Sequence, residues 1–155
     1  MGQAAGAAVG PGVSMLDIAA GAGEQTRAIA RCVGPGARVL TTDITSRILG
    51  QAADKLRRAG FAAVQTRVAD AQALGLAGAG YDAAVSRLGL MFCPAPLQAL
   101  AGIRAALKTG GRFAALVFAV PPGKPCMATL MATARRHRGL GPASPFDPGP
   151  ARAAC

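Results

Sequence analysis

The sequence predicts an α/β fold: a doubly wound parallel sheet of about five strands with helices on both faces. Three observations carry this expectation. Short apolar runs alternate with segments of helical period along most of the chain. The first run breaks into a Gly-Ala-Gly turn at Gly21 to Gly23, and a helix-like segment follows at once. The second run ends in an acid, Asp43, twenty residues after Gly23. Strand, tight glycine turn, helix, strand and acid is the layout of a nucleotide-type site in a βαβ unit. Gly-x-Gly occurs five times in the chain, and only the copy at Gly21 has this context.

Each element can be justified in order. Pro11-Gly12 turns the chain into a first strand, Val13 to Ala19. Glu24 to Val33 reads as a helix with Ala28, Ile29 and Cys32 on one face, stopped by Gly34-Pro35-Gly36. A second strand runs Arg38 to Thr42. Thr45 or Ser46 caps a helix to about Ala59, with Ile48, Leu49, Ala52, Ala53 and Leu56 at helical spacing. The third strand, Ala63 to Val68, ends in Ala69-Asp70, and a helical turn follows from Ala71 to Leu76. Tyr81 to Ser86 is a fourth strand. Pro94 to Leu107 is a helix with Pro96 near its first turn. Gly110-Gly111 turns the chain into a fifth strand, Arg112 to Phe118. The apolar run Phe113 to Val120 fits a strand covered on both faces. A last helix is expected over Pro125 to Arg138, and a Pro/Gly-rich coil after Gly139. Residues 1–140 therefore read as one domain and 141–155 as a tail.

Composition narrows the classes. At 155 residues, 52% of them hydrophobic, the chain has room for one domain with a real core. No apolar run approaches a membrane span, and the Ala/Gly-rich start lacks the basic region of a signal peptide, so a cytoplasmic protein is expected. Cys32, Cys93, Cys126 and Cys155 show no metal-ligand spacing, so no metal is expected. Cys93 and Cys126 read as scattered core thiols. The net charge of +10 hints at nucleic acid, but one tyrosine and no tryptophan leave few stacking platforms, and nucleic acid is disfavoured. The charge is lopsided: residues 1–80 carry eight bases and five acids, residues 81–155 nine bases and two acids. His137, the single histidine, follows Arg135-Arg136 at an expected helix end and reads as a solvated side chain.

Of only seven acids, three fall late in or just after the first three strands: Asp17, Asp43 and Asp70. Ligands of parallel sheets sit at those strand ends. A nicotinamide dinucleotide would want a third glycine where Thr26 stands, and Asp17 is a poor neighbour for a pyrophosphate. No Gly-Lys-Ser/Thr follows the loop, which excludes a P-loop. S-adenosylmethionine carries an ammonium, a sulfonium, a ribose and an adenine, and no phosphate. Asp17 suits the ammonium, directly or through water. Backbone from Ala19 to Gly23 suits the methionine moiety, Asp43 the ribose diol and Asp70 the adenine amino group.

At these residues the chain resembles the class I S-adenosylmethionine-dependent methyltransferases, in the broad group that includes the ubiquinone/menaquinone-biosynthesis C-methyltransferases. The resemblance covers roughly residues 10–140. Its motifs are Leu16-Asp17-Ile18-Ala19-Ala20-Gly21-Ala22-Gly23, Thr42-Asp43-Ile44-Thr45, Ala69-Asp70-Ala71, Tyr81 to Arg87, and Leu107-Lys108-Thr109-Gly110-Gly111-Arg112. It implies a Rossmann-like fold in which Asp43 binds the ribose, Ile44 packs on the adenine and Asp70 holds its amino group, with Ser86 and Arg87 beside the methionine part. The candidate cofactor residues are Asp17, Ala19, Ala20, Gly21, Gly23, Thr26, Asp43, Ile44, Ala69, Asp70, Ala71, Ser86 and Arg87. No catalytic residue is assigned.

The chain departs from the family pattern in three ways. Ala19 stands where many members have the first glycine, and Thr109 where Pro is common. The usual helices before the first strand and the usual final two strands are not visible. A core shortened at both ends is therefore expected, with an exposed fifth-strand edge that could recruit a second copy. The implied activity is methyl transfer to a small acceptor such as a quinol or phenol. A non-catalytic cofactor-binding fragment and an RNA methyltransferase remain as alternatives.

Overall fold

A computed structural model describes residues 9–118 and, beyond them, Thr129, Ala132, Thr133 and Arg136. The chain divides into two units, residues 1–117 and 118–155. The first unit holds five strands: β1 (Met15–Ile18), β2 (Val39–Asp43), β3 (Gln65–Val68), β4 (Tyr81–Arg87) and β5 (Leu107–Leu116). Its helices are α1 (Glu24–Val33), α2 (Ser46–Arg58) and α3 (Pro96–Ala106), with 3₁₀ turns at Ala71–Ala73 and Leu90–Phe92. All strand pairs are parallel and the order is β3-β2-β1-β4-β5. The alternating pattern thus gave the fold class and all five strands.

In the second unit Thr129, Ala132, Thr133 and Arg136 are helical and exposed, within the helix expected over Pro125 to Arg138. His137, Cys126, Cys155 and the coil expected from Gly139 lie outside the described residues.

Alternation along β1 sorts the core into two layers. Leu16 and Ile18 face α3 and pack with Ala99, Ile103 and Ala106. Met15 faces α1 and packs with Ile29 and Val33. The three inner strands are buried, whereas every residue of β3 is exposed and β5 is largely so. A sheet edge has one neighbour only, so the apolar run of β5 is not covered on both faces as expected.

Three boundaries or faces differ from the sequence reading. In α1 the buried residues are Thr26, Ile29, Ala30 and Val33, while Ala28 and Cys32 are exposed. The buried stripe is therefore rotated from the expected face and shares only Ile29 with it, because the buried polar Thr26 belongs to it. In α2, Leu49, Ala52 and Leu56 are buried, while Ile48 is 38% exposed. Gly110-Gly111 does not precede β5 but lies within it. Tyr81 pairs with Leu107 and Ala83 with Arg112, so two steps along β4 match five along β5. The glycines accommodate this bulge, with Gly110 at φ +79°. Lys108 on the bulge donates to Asp82 at 2.6 Å, and Asp82 also accepts the Ser14 N–H at 2.9 Å. Asp82 thus fastens the N-terminal ends of β1, β4 and β5, far from the strand ends where the other acids cluster.

Candidate functional site at the switch point

In this strand order the chain reverses direction of growth between β1 and β4, which opens a crevice at their C-terminal ends. Two loops meet there, residues 19–23 after β1 and residues 88–95 after β4. Their contact is unusually close. Ala19 and Leu88 are the only described non-glycine residues with positive φ, at 55° and 61°. Both lie at the crevice, where such strain concentrates in functional loops. A Cβ added to Gly89 would overlap the Cβ of Ala19. Ala19 in place of the family's glycine is therefore accommodated by a glycine on the opposite loop.

The loop after β1 is held from below and from the side. Asp17 is 1% exposed and points toward α1, where Thr26 donates to it at 2.6 Å and Gln25 at 3.5 Å. Thr41 of β2 donates in turn to the Thr26 hydroxyl at 3.2 Å. Thr26, read from sequence as the third position of a glycine motif, is instead a buried pin between β1, β2 and the first turn of α1. Burial pushes the Asp17 carboxyl from 3.8 up to about 7; the Thr26 hydrogen bond and the Arg87 charge oppose this rise and Asp43 adds to it.

Asp43 holds the loop from the side. One carboxylate oxygen accepts the Gly21 N–H at 2.9 Å, and the other accepts the Thr45 N–H at 2.9 Å at the start of α2. The Ala20 N–H is taken by the Thr42 carbonyl at 3.0 Å. Gly21, at φ +57°, has nothing within 4 Å of the position a Cβ would take, so its outer side is open. Gly23 caps α1 and abuts Ala52 of α2.

The remaining candidates follow their strands. Ile44 is 50% exposed beside Asp43. The Ala69 N–H bonds the Asp43 carbonyl at 3.0 Å, so the ends of β2 and β3 stay together. Asp70 caps the 3₁₀ turn that starts at Ala71, accepting the Gln72 N–H at 2.8 Å. Ser86 is fully buried at the end of β4, and its Oγ has no hydrogen-bond partner among the described residues. Arg87 is exposed, close enough to influence the Asp17 charge. Sequence reasoning missed Gln72; it placed Gly89, with the residues to Cys93 after the fourth strand, as candidate acceptor-site lining, but not its contact with Ala19. Neither belongs to a local motif, because each acts on a loop distant in sequence.

A glycine loop at the switch point of a parallel sheet, with an acid closing β2, defines the class of α/β proteins that bind a nucleoside-containing cofactor. The comparisons narrow it. Residues 16–115 match the methyltransferase domain family, and the chain belongs to that family. The family indicates S-adenosylmethionine as the cofactor. The ubiquinone/menaquinone biosynthesis C-methyltransferase UbiE of Bordetella parapertussis is 38% identical over 112 residues, 72% of this chain and 43% of that protein. Among solved structures, TrmN from Thermus thermophilus superposes with a TM-score of 0.68 at 26% identity, over 91% of this chain and 40% of that one. The [4+2]-cyclase SpnF gives a TM-score of 0.64 at 27% identity, over 70% and 39%. The chain thus spans less than half the length of these relatives. No helix among the described residues is long and apolar enough to cross a membrane.

Two predictions follow from the site's construction. Gly89→Ala should cost about 1–3 kcal/mol through overlap with Ala19. Adding Ala19→Gly should recover most of it, because the atoms next nearest to the new methyl are then Ser86 Oγ at 3.3 Å and the residue 19 Cα at 3.5 Å. Denaturant midpoints of the two single variants and the double variant measure the coupling; strictly additive losses would refute the contact.

The second concerns pH. Asp17 titrates near 3.8 when unfolded and about 7 when folded. Between these values the folded state keeps a proton that the unfolded state has lost, so this group makes stability fall as pH rises. Its penalty is absent below about pH 4 and complete above about pH 7, on the order of a few kcal/mol. Urea unfolding across that range should show the decline in wild type and a flatter profile in Asp17→Asn.

Proposed function

We propose that this chain is the cofactor-binding core of an S-adenosylmethionine-dependent methyltransferase acting on a small molecule of quinol or phenol type. The observation that carries this reading is the Asp43 carboxylate. Each of its oxygens holds one backbone N–H and keeps acceptor capacity for one hydroxyl of a vicinal diol. Ile44 supplies an exposed apolar side chain beside it for an adenine face, and Asp70 an acceptor for the adenine amino group. The open side of Gly21 leaves room for the methionine part. The Ser86 hydroxyl is a buried polar group for which a bound ligand would provide the partner. Asp17 acts beneath the loop, since its carboxylate is engaged by Thr26 and Gln25.

When bound, the cofactor supplies an electrophilic methyl on a sulfonium sulfur. The chain's part is to hold that methyl in line with the acceptor and to exclude water. Arg87, Leu88 and the residues up to Cys93 are the natural wall on the acceptor side. The acceptor class is supported by the likeness to relatives named for ubiquinone/menaquinone biosynthesis. We further propose that β5, paired only with β4 among the described residues, is a surface for self-association.

Isothermal calorimetry should detect S-adenosylhomocysteine and not NAD. Asp43→Ala should weaken binding by about 1.5–3 kcal/mol, the scale of hydrogen bonds to a charged group. Equal affinity in wild type and variant would remove the ribose assignment.

The edge makes a separate prediction. Leu116 is 45% exposed in the stretch of β5 from Phe113 that carries no charge, and an uncharged apolar edge recruits another chain. Sedimentation should show concentration-dependent association that Leu116→Lys reduces; a stable wild-type monomer at tens of micromolar would contradict it.

A further inference from the structure

We infer that Gln72 is a positioning residue that sets Asp70 for recognition of the adenine amino group and ties that recognition to the start of α3. The inference rests on the proposed cofactor reading and goes beyond it to a residue no motif contains.

Three contacts define the arrangement. The Gln72 side-chain carbonyl accepts the Ala95 N–H at 2.6 Å, across 23 residues of chain. A backbone N–H can only donate, so this bond fixes which end of the Gln72 amide is oxygen. The Nε2 end must then face Asp70, and it lies 3.3 Å from Oδ2 and 3.4 Å from Oδ1. The Gln72 backbone N–H donates to Oδ1 at 2.8 Å. One residue therefore grips the Asp70 carboxylate from two sides while holding the neighbouring loop.

The consequence is orientational. Asp70 closes β3 on a sheet edge, where its own strand is exposed on every residue. The Gln72 backbone N–H reaches only Oδ1, and the side-chain amide is what braces Oδ2. With both oxygens drawn toward Gln72, the carboxylate's remaining acceptor capacity is presented along one direction. An exocyclic amine of adenine is a donor that such a carboxylate reads, whereas the carbonyl of hypoxanthine repels it. Ala95 precedes Pro96, the first residue of α3, and its helix has no side-chain cap of its own. Gln72 supplies an outside partner for that N–H. The loop of residues 88–95 is thereby anchored at the same side chain that orients Asp70.

The two arms can be separated by substitution. Gln72→Glu keeps an acceptor for Ala95 but sets a second carboxylate against Asp70. Gln72→Leu removes both side-chain arms and leaves the backbone N–H on Asp70 Oδ1. The test uses the 155-residue chain and compares binding of S-adenosylhomocysteine with its deaminated inosine analogue by calorimetry, alongside thermal unfolding. Wild type should prefer the adenine form by about tenfold or more, the scale of a charge-assisted hydrogen bond. Both Gln72 variants should bring the preference close to unity, and only Gln72→Leu should also lower the unfolding temperature. A purely structural Gln72 would lower that temperature with the preference intact, which overturns the inference. Asp70→Ala distinguishes the two failures. If it abolishes the preference while both Gln72 variants retain it, the inference alone falls; if it leaves the preference unchanged, Asp70 does not read the adenine and the underlying assignment falls with it.

Discussion

The crevice depends on one carboxylate shared between two backbones. Asp43 ends β2, yet its oxygens bind the N–H groups of Gly21, on the loop after β1, and of Thr45, at the start of α2. Hydrogen bonds to an ionised acceptor are about twice as strong as neutral ones. A glycine loop would otherwise be the most mobile part of such a fold, since glycine loses the most backbone freedom on ordering. Asp43 meets that cost at the point where a ligand must be met by a fixed surface. The Asp17, Thr26 and Thr41 chain secures the same loop from beneath. Between them the two acids leave the loop's outer face open and its inner face closed.

How far this was legible in the sequence follows the range of each interaction. The parallel sheet, the glycine turn and the acids at strand ends were visible because each is a local pattern repeated in order. Asp82 lies near the start of the expected fourth strand, whereas Asp17, Asp43 and Asp70 fall late in or after theirs, so its separation from the site follows the same pattern. The bulge in β5 was hidden because Gly110-Gly111 signals a turn just as well, and only pairing with β4 tells the two apart. The buried face of α1 was misjudged because apolar content ignores a polar residue that has a buried partner. The contacts of Gln72 and Gly89 were invisible for a simpler reason. Their partners, Ala95 and Ala19, lie far along the chain, and no composition or period encodes that meeting.

The charge pattern is equally telling. The formal charge of the chain is +10, yet the switch point brings Asp17 and Asp43 within each other's influence, with Arg87 close to Asp17. A crevice of this kind is locally acidic in a basic molecule. Desolvation dominates the rise of the Asp17 carboxyl, and the nearby Asp43 charge reinforces it. A ligand carrying positive charge would relieve that crowding, whereas a pyrophosphate would worsen it. The same reasoning that set aside a dinucleotide on the sequence is thus reinforced by the burial of Asp17, a feature no sequence pattern reports.

Methyl transfer from a sulfonium asks little acid–base work of a protein and a great deal of positioning. The construction of this crevice suits such a demand. Asp43 and Asp70 are held by backbone donors rather than paired with a general base: Gly21 and Thr45 on Asp43, Gln72 on Asp70. The bonds that orient them form on folding, so little ordering is left to be done when a ligand arrives, and affinity gains by that amount. Strain at Ala19 and Leu88 is held in place the same way, by the contact of one loop against the other across the crevice. The result is a rigid half-site whose polar groups already point outward, and the half that would enclose an acceptor is a matter of what lies against residues 88–95.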